Sequence, residues 1–318
     1  MTHYDVFNGD ADGICALHQL RLERPLASML ITGVKRDIAL LQRVPAQSGD
    51  TVTVLDVSAA ANRDALVALL ARGVGVQYFD HHFAGELPVH PRLDATIDTS
   101  ADVCTSLLVD RHLGGRRQLW AIVAAFGDNL GDAARALAAR RGLAAAAVAG
   151  LQELGDALAY NAYGDTEGDL IIPPAALYRL LCPYDDPFRF MRAEAIVARI
   201  SAARRDDLGR ALALRPEPAL RRAWVYVLPD AAWSRRVRGA FGNHLASSHP
   251  ERAYAILTQN ARGGYTVSVR APLATRTGAD AFCRQFPTGG GRAAAAGINH
   301  LPREALPEFV RRLDQAFS

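Results

Sequence analysis

The chain has 318 residues, half of them hydrophobic, and a formal net charge of +3 at pH 7. That composition excludes a disordered chain, leaves room for two domains because single cores seldom grow much beyond ~250 residues, and carries too little charge to name a nucleic-acid partner. No apolar run is long enough to span a bilayer, and no basic start leads into an apolar core, so the expectation is a soluble, cytoplasmic protein with no membrane contact.

In chain order, residues 4–7 read as a strand, 13–23 as a helix, 28–34 and 51–56 as strands, 63–72 as a helix and 74–80 as a strand, with 93–97 as a further one. Such alternation, punctuated by short Gly and Pro turns, predicts parallel βαβ units. From residue 101 the period becomes helical, with helices expected over 101–113, 117–126, 133–140 and 144–160. Pro173, Pro174, Pro183 and Pro187 punctuate a looser stretch. Residues 185–214 then read as one long helix that ends before Pro216 and Pro218. Beyond it, strands are expected over 224–228, 254–259 and 265–270, and helices over 234–247, 279–286 and 303–317. The fold class is therefore α/β: a parallel-sheet domain with flanking helices (1–184), a helical connector (185–216) and a smaller α/β domain (217–318).

Three strand ends finish on groups that bind cations. The first runs into Asn8-Gly9-Asp10-Ala11-Asp12-Gly13, the second ends at Leu55-Asp56, and the third at Asp80-His81-His82. In an open α/β sheet the ligand crevice lies outside the carboxyl ends of the strands. Carboxylates gathered there cannot all stay ionised without cations. Asp10 and Asp12 could serve two neighbouring ions and Asp56 could bridge them, the pattern of a two-metal phosphoryl-transfer site. Carboxylates with one imidazole suit Mn²⁺ or Mg²⁺ better than structural zinc. Cys15, Cys104, Cys182 and Cys283 are far apart and read as reduced thiols. Lys35 is the only lysine; read with the arginine abundance, it looks like a compositional habit. Asp98 to Asp102 reads as a cap for the helix that follows.

Phe7-Asn8-Gly9-Asp10-Ala11-Asp12-Gly13, Leu55-Asp56, Asp80-His81-His82 and Gly127-Asp128 occur in the order and approximate spacing of the four motifs of the DHH phosphoesterases, and the chain resembles that superfamily. Tyr265 to Arg270, Gly289-Gly290-Gly291-Arg292 and Ala295-Ala296-Gly297 resemble its C-terminal substrate domain, in which a glycine-rich loop closes over the ligand's phosphate. The resemblance implies that Asp10 and Asp56 hold a first metal ion and that Asp12, Asp56, His81 and Asp128 hold a second, with a bridging hydroxide as the attacking group. It places His82 against the substrate, with Asp80 orienting a neighbouring imidazole. Arg270, Gly289, Gly290, Gly291 and Arg292 become the substrate-binding set.

Two features depart from the pattern. Asn8 and Val6 occupy the two positions at which many relatives carry a histidine ligand; Asn8 can offer only an amide oxygen, so the first ion should bind more weakly or need Mn²⁺ in excess. Arg292 replaces a histidine, which favours charge neutralisation over proton transfer. The expected function is metal-dependent hydrolysis of a phosphodiester or terminal phosphate on a small nucleotide or short oligonucleotide held between the two domains, since the chain is shorter than large RecJ-type exonucleases. The alternatives are a catalytically weakened nucleotide-binding or regulatory protein and a single-strand exonuclease; a homodimer stays open.

Overall fold

The computed structural model describes residues 1–217 and 223–317, so Pro218 lies outside the described residues. The chain divides into two compact units, Met1–Ala202 and Ala203–Ser318. Each is built on its own five-stranded sheet.

In the first unit β1 (His3–Phe7) leads into α1 (Ala11–Glu23), followed by β2 (Met29–Ile31), β3 (Thr51–Leu55), α2 (Arg63–Ala71), β4 (Gly75–Asp80) and β5 (Leu93–Ile97). The spatial order is β2-β1-β3-β4-β5, and every pairing is parallel. Strands covered on both faces need apolar residues in both phases. Tyr4, Val6, Val52, Val54, Val76 and Tyr78 pack with Leu66, Leu69 and Leu70 of α2, while the other phase carries Phe7, Leu55 and Phe79, also buried. This strand order reverses direction between β1 and β3, which puts the crevice of the sheet at their carboxyl ends.

On the opposite side α1, α3 (Thr105–His112) and α7 (Pro174–Leu181) meet the strands, and α4 (Gln118–Gly127), α5 (Gly131–Arg140), α6 (Ala145–Asn161) and α8 (Pro187–Ala193) pack with those helices or one another. Ala11 to Leu20 of α1 are buried without a break, so this helix is central rather than amphipathic. Of its buried polar side chains, His18 Nε2 donates to the Tyr184 carbonyl at 2.7 Å and Gln19 Nε2 to that of Ser106 at 3.2 Å, while Gln19 Oε1 has no hydrogen-bond partner. Close approach of α4 needs small residues, for a Cβ at Gly127 would lie 2.4 Å from Ala11 Cβ.

Several local expectations are corrected. The helix expected over 101–113 starts only at Thr105, and its cap is not Asp98, which instead accepts from Ser100 within its own turn. Asp12, from α1, accepts from the Thr105 and Ser106 amides, both at 2.7 Å. The proline-marked stretch holds α7, with proline at its first turn, where a missing N–H costs nothing. The single helix expected over 185–214 is two, α8 and α9 (Ile196–Leu212), because Glu194 is extended and its carboxylate accepts from the Tyr184 hydroxyl at 2.6 Å.

The second unit, which includes the later turns of α9, carries β6 (Ala223–Leu228), α10 (Ala232–Ser248), β7 (Ala253–Gln259), β8 (Tyr265–Arg270), α11 (Ala279–Cys283), β9 (Gly289–Arg292), β10 (Ala295–Leu301) and α12 (Leu306–Ala316). The order is β6-β7-β8-β10-β9, with only β6 and β7 parallel. Phe282, Phe309 and Leu313 pack with Val225, Leu257, Val267 and Val269, and Val237, Phe241 and Leu245 of α10 with Tyr226, Tyr254 and Ile256. The glycine run expected as a loop is the edge strand β9, hydrogen-bonded to β10. Its register with β10 is a tertiary property that a glycine run does not signal.

Candidate metal and phosphoester site

Each carboxyl end of the central strands delivers its side chains to one place. After β1, Asp10 caps α1: its Oδ1 accepts from the amides of Asp12 at 3.0 Å and Gly13 at 3.2 Å. Gly13 is required here, since a Cβ would lie 2.2 Å from the Asn8 carbonyl oxygen. After β3, Asp56 takes a left-handed backbone (φ 58°), a strained conformation for a residue with a side chain, held by its amide donating to the Phe79 carbonyl at 3.1 Å. At the end of α4, Asp128 precedes Asn129, which turns the chain at φ 62°.

His81 lies at the centre of this group. Its Nδ1 is 3.0 Å from the Val103 carbonyl, an acceptor only, so Nδ1 carries the hydrogen. In the neutral ring the lone pair then sits on Nε2. That atom lies 3.4 Å from Asp56 Oδ1, 3.7 Å from Asp128 Oδ2 and 3.9 Å from Asp12 Oδ2. A bare nitrogen facing three carboxylates is a poor arrangement unless a cation sits among them. Two triads have ligand atoms close enough for each to hold an ion, Asp12-His81-Asp128 and Asp56-His81-His82. These residues therefore fit a hard divalent cation, and the oxygen-rich set with one imidazole suits Mn²⁺ or Mg²⁺.

The electrostatics point the same way. Burial, then the neighbouring Asp10, Asp12 and Asp128, push the Asp56 carboxyl well above its ordinary range. Burial and Asp12 raise Asp128 to about 6. Asp10 goes the other way: burial alone would raise it, but Lys35 outweighs that and holds it below the usual value. Lys35 Nζ is 2.5 Å from Asp10 Oδ2 and 3.4 Å from Asp128 Oδ1. Sequence reasoning passed over this residue as composition; its being the sole lysine was the available signal.

Asp80 is fully buried, with Oδ1 2.7 Å from His82 Nδ1 and Oδ2 without a hydrogen-bond partner. The bond to Asp80 is the main cause that raises the His82 pKa above that of a free imidazole. The His82 side chain is 46% exposed, and Phe83 beside it is 77% exposed, which leaves an aromatic face open at the rim. Asp132 stands outside the group, exposed and paired with Arg135.

The remaining predicted residues lie in the second unit. Arg270 of β8 and Arg292 of β9 both register with Ala295 of β10, so they stand on one face of the sheet, two strands apart or roughly 10 Å. Arg270 is held by Asn243 Oδ1 at 2.9 Å and Ser268 Oγ at 2.9 Å. Gly289 and Gly291 are required by packing, for a Cβ would lie 1.8 Å from the Cys283 carbonyl oxygen and 2.5 Å from Ala296 Cα respectively. Gly290 has nothing within 4 Å of a built Cβ, so packing does not explain it.

No protein-family profile matches the sequence, and no curated protein matches it significantly. Solved structures do. The chain superposes on an exonuclease RecJ bound to manganese with a TM-score of 0.66 at 19% identity, covering 99% of this chain and 90% of that one. RecJ from Thermus thermophilus in complex with Mn²⁺ gives 0.57 at 19%, with 99% of this chain aligned to 52% of the longer protein. The pGpG-specific phosphodiesterase PggH from Vibrio cholerae gives 0.56 at 13%, covering 100% and 99%. At these identities the likeness is one of fold.

Proposed function

We propose that this chain, whose fold is that of the DHH phosphoesterases, is a metal-dependent hydrolase of a phosphodiester or terminal phosphate on a small nucleotide or short oligonucleotide. The observation that carries the reading is the convergence of Asp12, Asp56 and Asp128 on Nε2 of His81 at the carboxyl edge of a parallel sheet. A divalent cation held by these residues would supply Lewis-acid charge for a phosphoryl oxygen and lower the pKa of water.

The side chains around that set have their own tasks. Asp80 fixes His82 with the hydrogen on Nδ1 and stabilises the imidazolium, so His82 Nε2 can deliver a proton to the departing oxygen. Asp80 Oδ2 has no partner, which makes His82 the main counterweight to a buried charge. Phe83 offers a face on which a nucleobase can stack. Arg270 and Arg292, on either side of Ala295 and one row along the sheet from the Gly290–Gly297 pair, are suited to a phosphate, with the exposed edge of β9 offering backbone amides. Fold likeness to a pGpG-specific phosphodiesterase over the whole of both chains favours dinucleotide-sized substrates over long strands.

The test is hydrolysis of a panel, in Mn²⁺ or Mg²⁺, of linear and cyclic dinucleotides, short oligonucleotides, phosphoadenosine phosphate and pyrophosphate. Turnover by the wild type and its loss, by about 10²–10⁴-fold, in His82→Ala would support both the reaction and the acid. Tight nucleotide binding with no turnover of any member would favour instead a regulatory binding protein, the reading that Asn8 and Arg292 motivate.

A further inference from the structure

Asp10 is the one carboxylate of the opening motif that neither ion-binding triad includes among the described residues. What sets it apart is the cation it already meets: Oδ1 accepts from the amides of Asp12 and Gly13, much as the Asp12 oxygens accept from those of Thr105 and Ser106, but Oδ2 is taken by the Lys35 ammonium at 2.5 Å. Asn8, the other residue that could serve an ion there, is also engaged at both ends. Its Oδ1 accepts from the Asp10 amide at 3.2 Å and its Nδ2 donates to the Lys35 carbonyl at 3.2 Å. The residue that stands in one histidine position thus holds the lysine's backbone in place, and the Lys35 amide is tied to the Ala162 carbonyl at 3.0 Å. Asp128 divides its oxygens, Oδ1 toward the ammonium and Oδ2 toward His81.

These residues do not fit the first of the two ions that the resemblance implies. We infer that the Lys35 ammonium stands in its place, so that this chain binds one divalent cation, on Asp12, Asp56, His81 and Asp128, beside a built-in positive charge. The inference rests on the metal-dependent reading of the cluster. The sequence supplies an independent argument: Lys35 is the only lysine among 36 basic Lys and Arg residues, so arginine serves every other such position. A planar guanidinium cannot act as a compact point charge between two carboxylates, whereas an ammonium can. Two of the three Nζ hydrogens face Asp10 and Asp128, and the side chain is 31% exposed, which leaves the third for a phosphoryl oxygen.

The experiment is the Mn²⁺ stoichiometry of the purified wild type, measured by equilibrium dialysis with metal analysis and by electron paramagnetic resonance of the bound ion. One ion per chain with an uncoupled Mn²⁺ signal is expected, and Asp10→Asn, which keeps the helix cap, should still bind one. The double variant Asn8→His/Lys35→Ala, which frees Asp10 and restores the histidine, should take up two ions with a spin-coupled signal. Two ions in the wild type, or loss of an ion in Asp10→Asn, would overturn the inference and leave the phosphoesterase reading standing. A double variant that still binds one ion would remove Lys35 as the cause. No bound ion in the wild type would sink the metal-dependent reading along with it.

Discussion

Two neighbouring strands, β1 and β3, carry buried carboxylates with opposite surroundings. Asp5, within β1, is fully buried and meets a complete set of donors: Arg21 through Nε at 2.9 Å and through Nη2, Ser28 Oγ at 2.6 Å and His3 Nε2 at 3.2 Å. Burial alone would raise its pKa, but those partners outweigh it and hold Asp5 below the ordinary carboxylate range. Asp56, one strand over and beyond the sheet edge, is nearly as buried yet faces Asp10, Asp12 and Asp128, and is pushed up instead. The compensated acid is part of the scaffold. The uncompensated one is charge held in readiness for something that arrives from outside.

That contrast can be broken at either end. The largest effect should come from Asp56→Ala, which removes the carboxylate nearest His81 Nε2: hydrolysis should fall by at least about 10³-fold, consistent with loss of several kcal/mol of charge stabilisation, as measured by turnover in saturating Mn²⁺. Asp5→Ala should do the reverse. It strands Arg21, whose side chain is only 13% exposed, and should cost about 3–5 kcal/mol in urea unfolding with Mn²⁺ binding preserved.

A third, smaller effect separates scaffold from site by pH. His18 is buried against Trp120, and burial drives its pKa down to about 4. It stays neutral in the fold and takes up a proton on unfolding, so stability should be full above pH ~6.5 and fall by about 3 kcal/mol as pH drops to ~4. His18→Gln should flatten that slope in chemical denaturation. The smallest change belongs to the rim: Phe83→Ala should raise KM for a dinucleotide about tenfold by loss of base stacking, with kcat nearly unchanged.

The parts of this arrangement legible in the sequence were those carried by local pattern. Apolar runs ending in Asp10, Asp56 and Asp80 mark strand ends, and parallel strands bring such ends to one edge whatever lies between. What was not legible depended on contacts across the chain. The Asp12 carboxylate caps α3 from 93 positions away, so the helix looked longer and differently capped than it is. Lys35 reaches Asp10 from the loop after the edge strand β2, 25 residues on, with no local pattern around it. The glycines at 289–291 form a strand through pairing with β10, and Cys283 and Ala296 leave no room for side chains at Gly289 and Gly291.

The most direct measurement is thermal unfolding of the wild type and Asp56→Asn, each with and without Mn²⁺. Removing one of several clustered buried charges should raise the midpoint of the ion-free variant above the wild type by at least about 2 °C. Added Mn²⁺ should reverse the order by stabilising the wild type far more. A variant less stable than wild type without the ion, or a wild type whose midpoint Mn²⁺ does not move, would contradict the claim that these carboxylates are assembled for a cation.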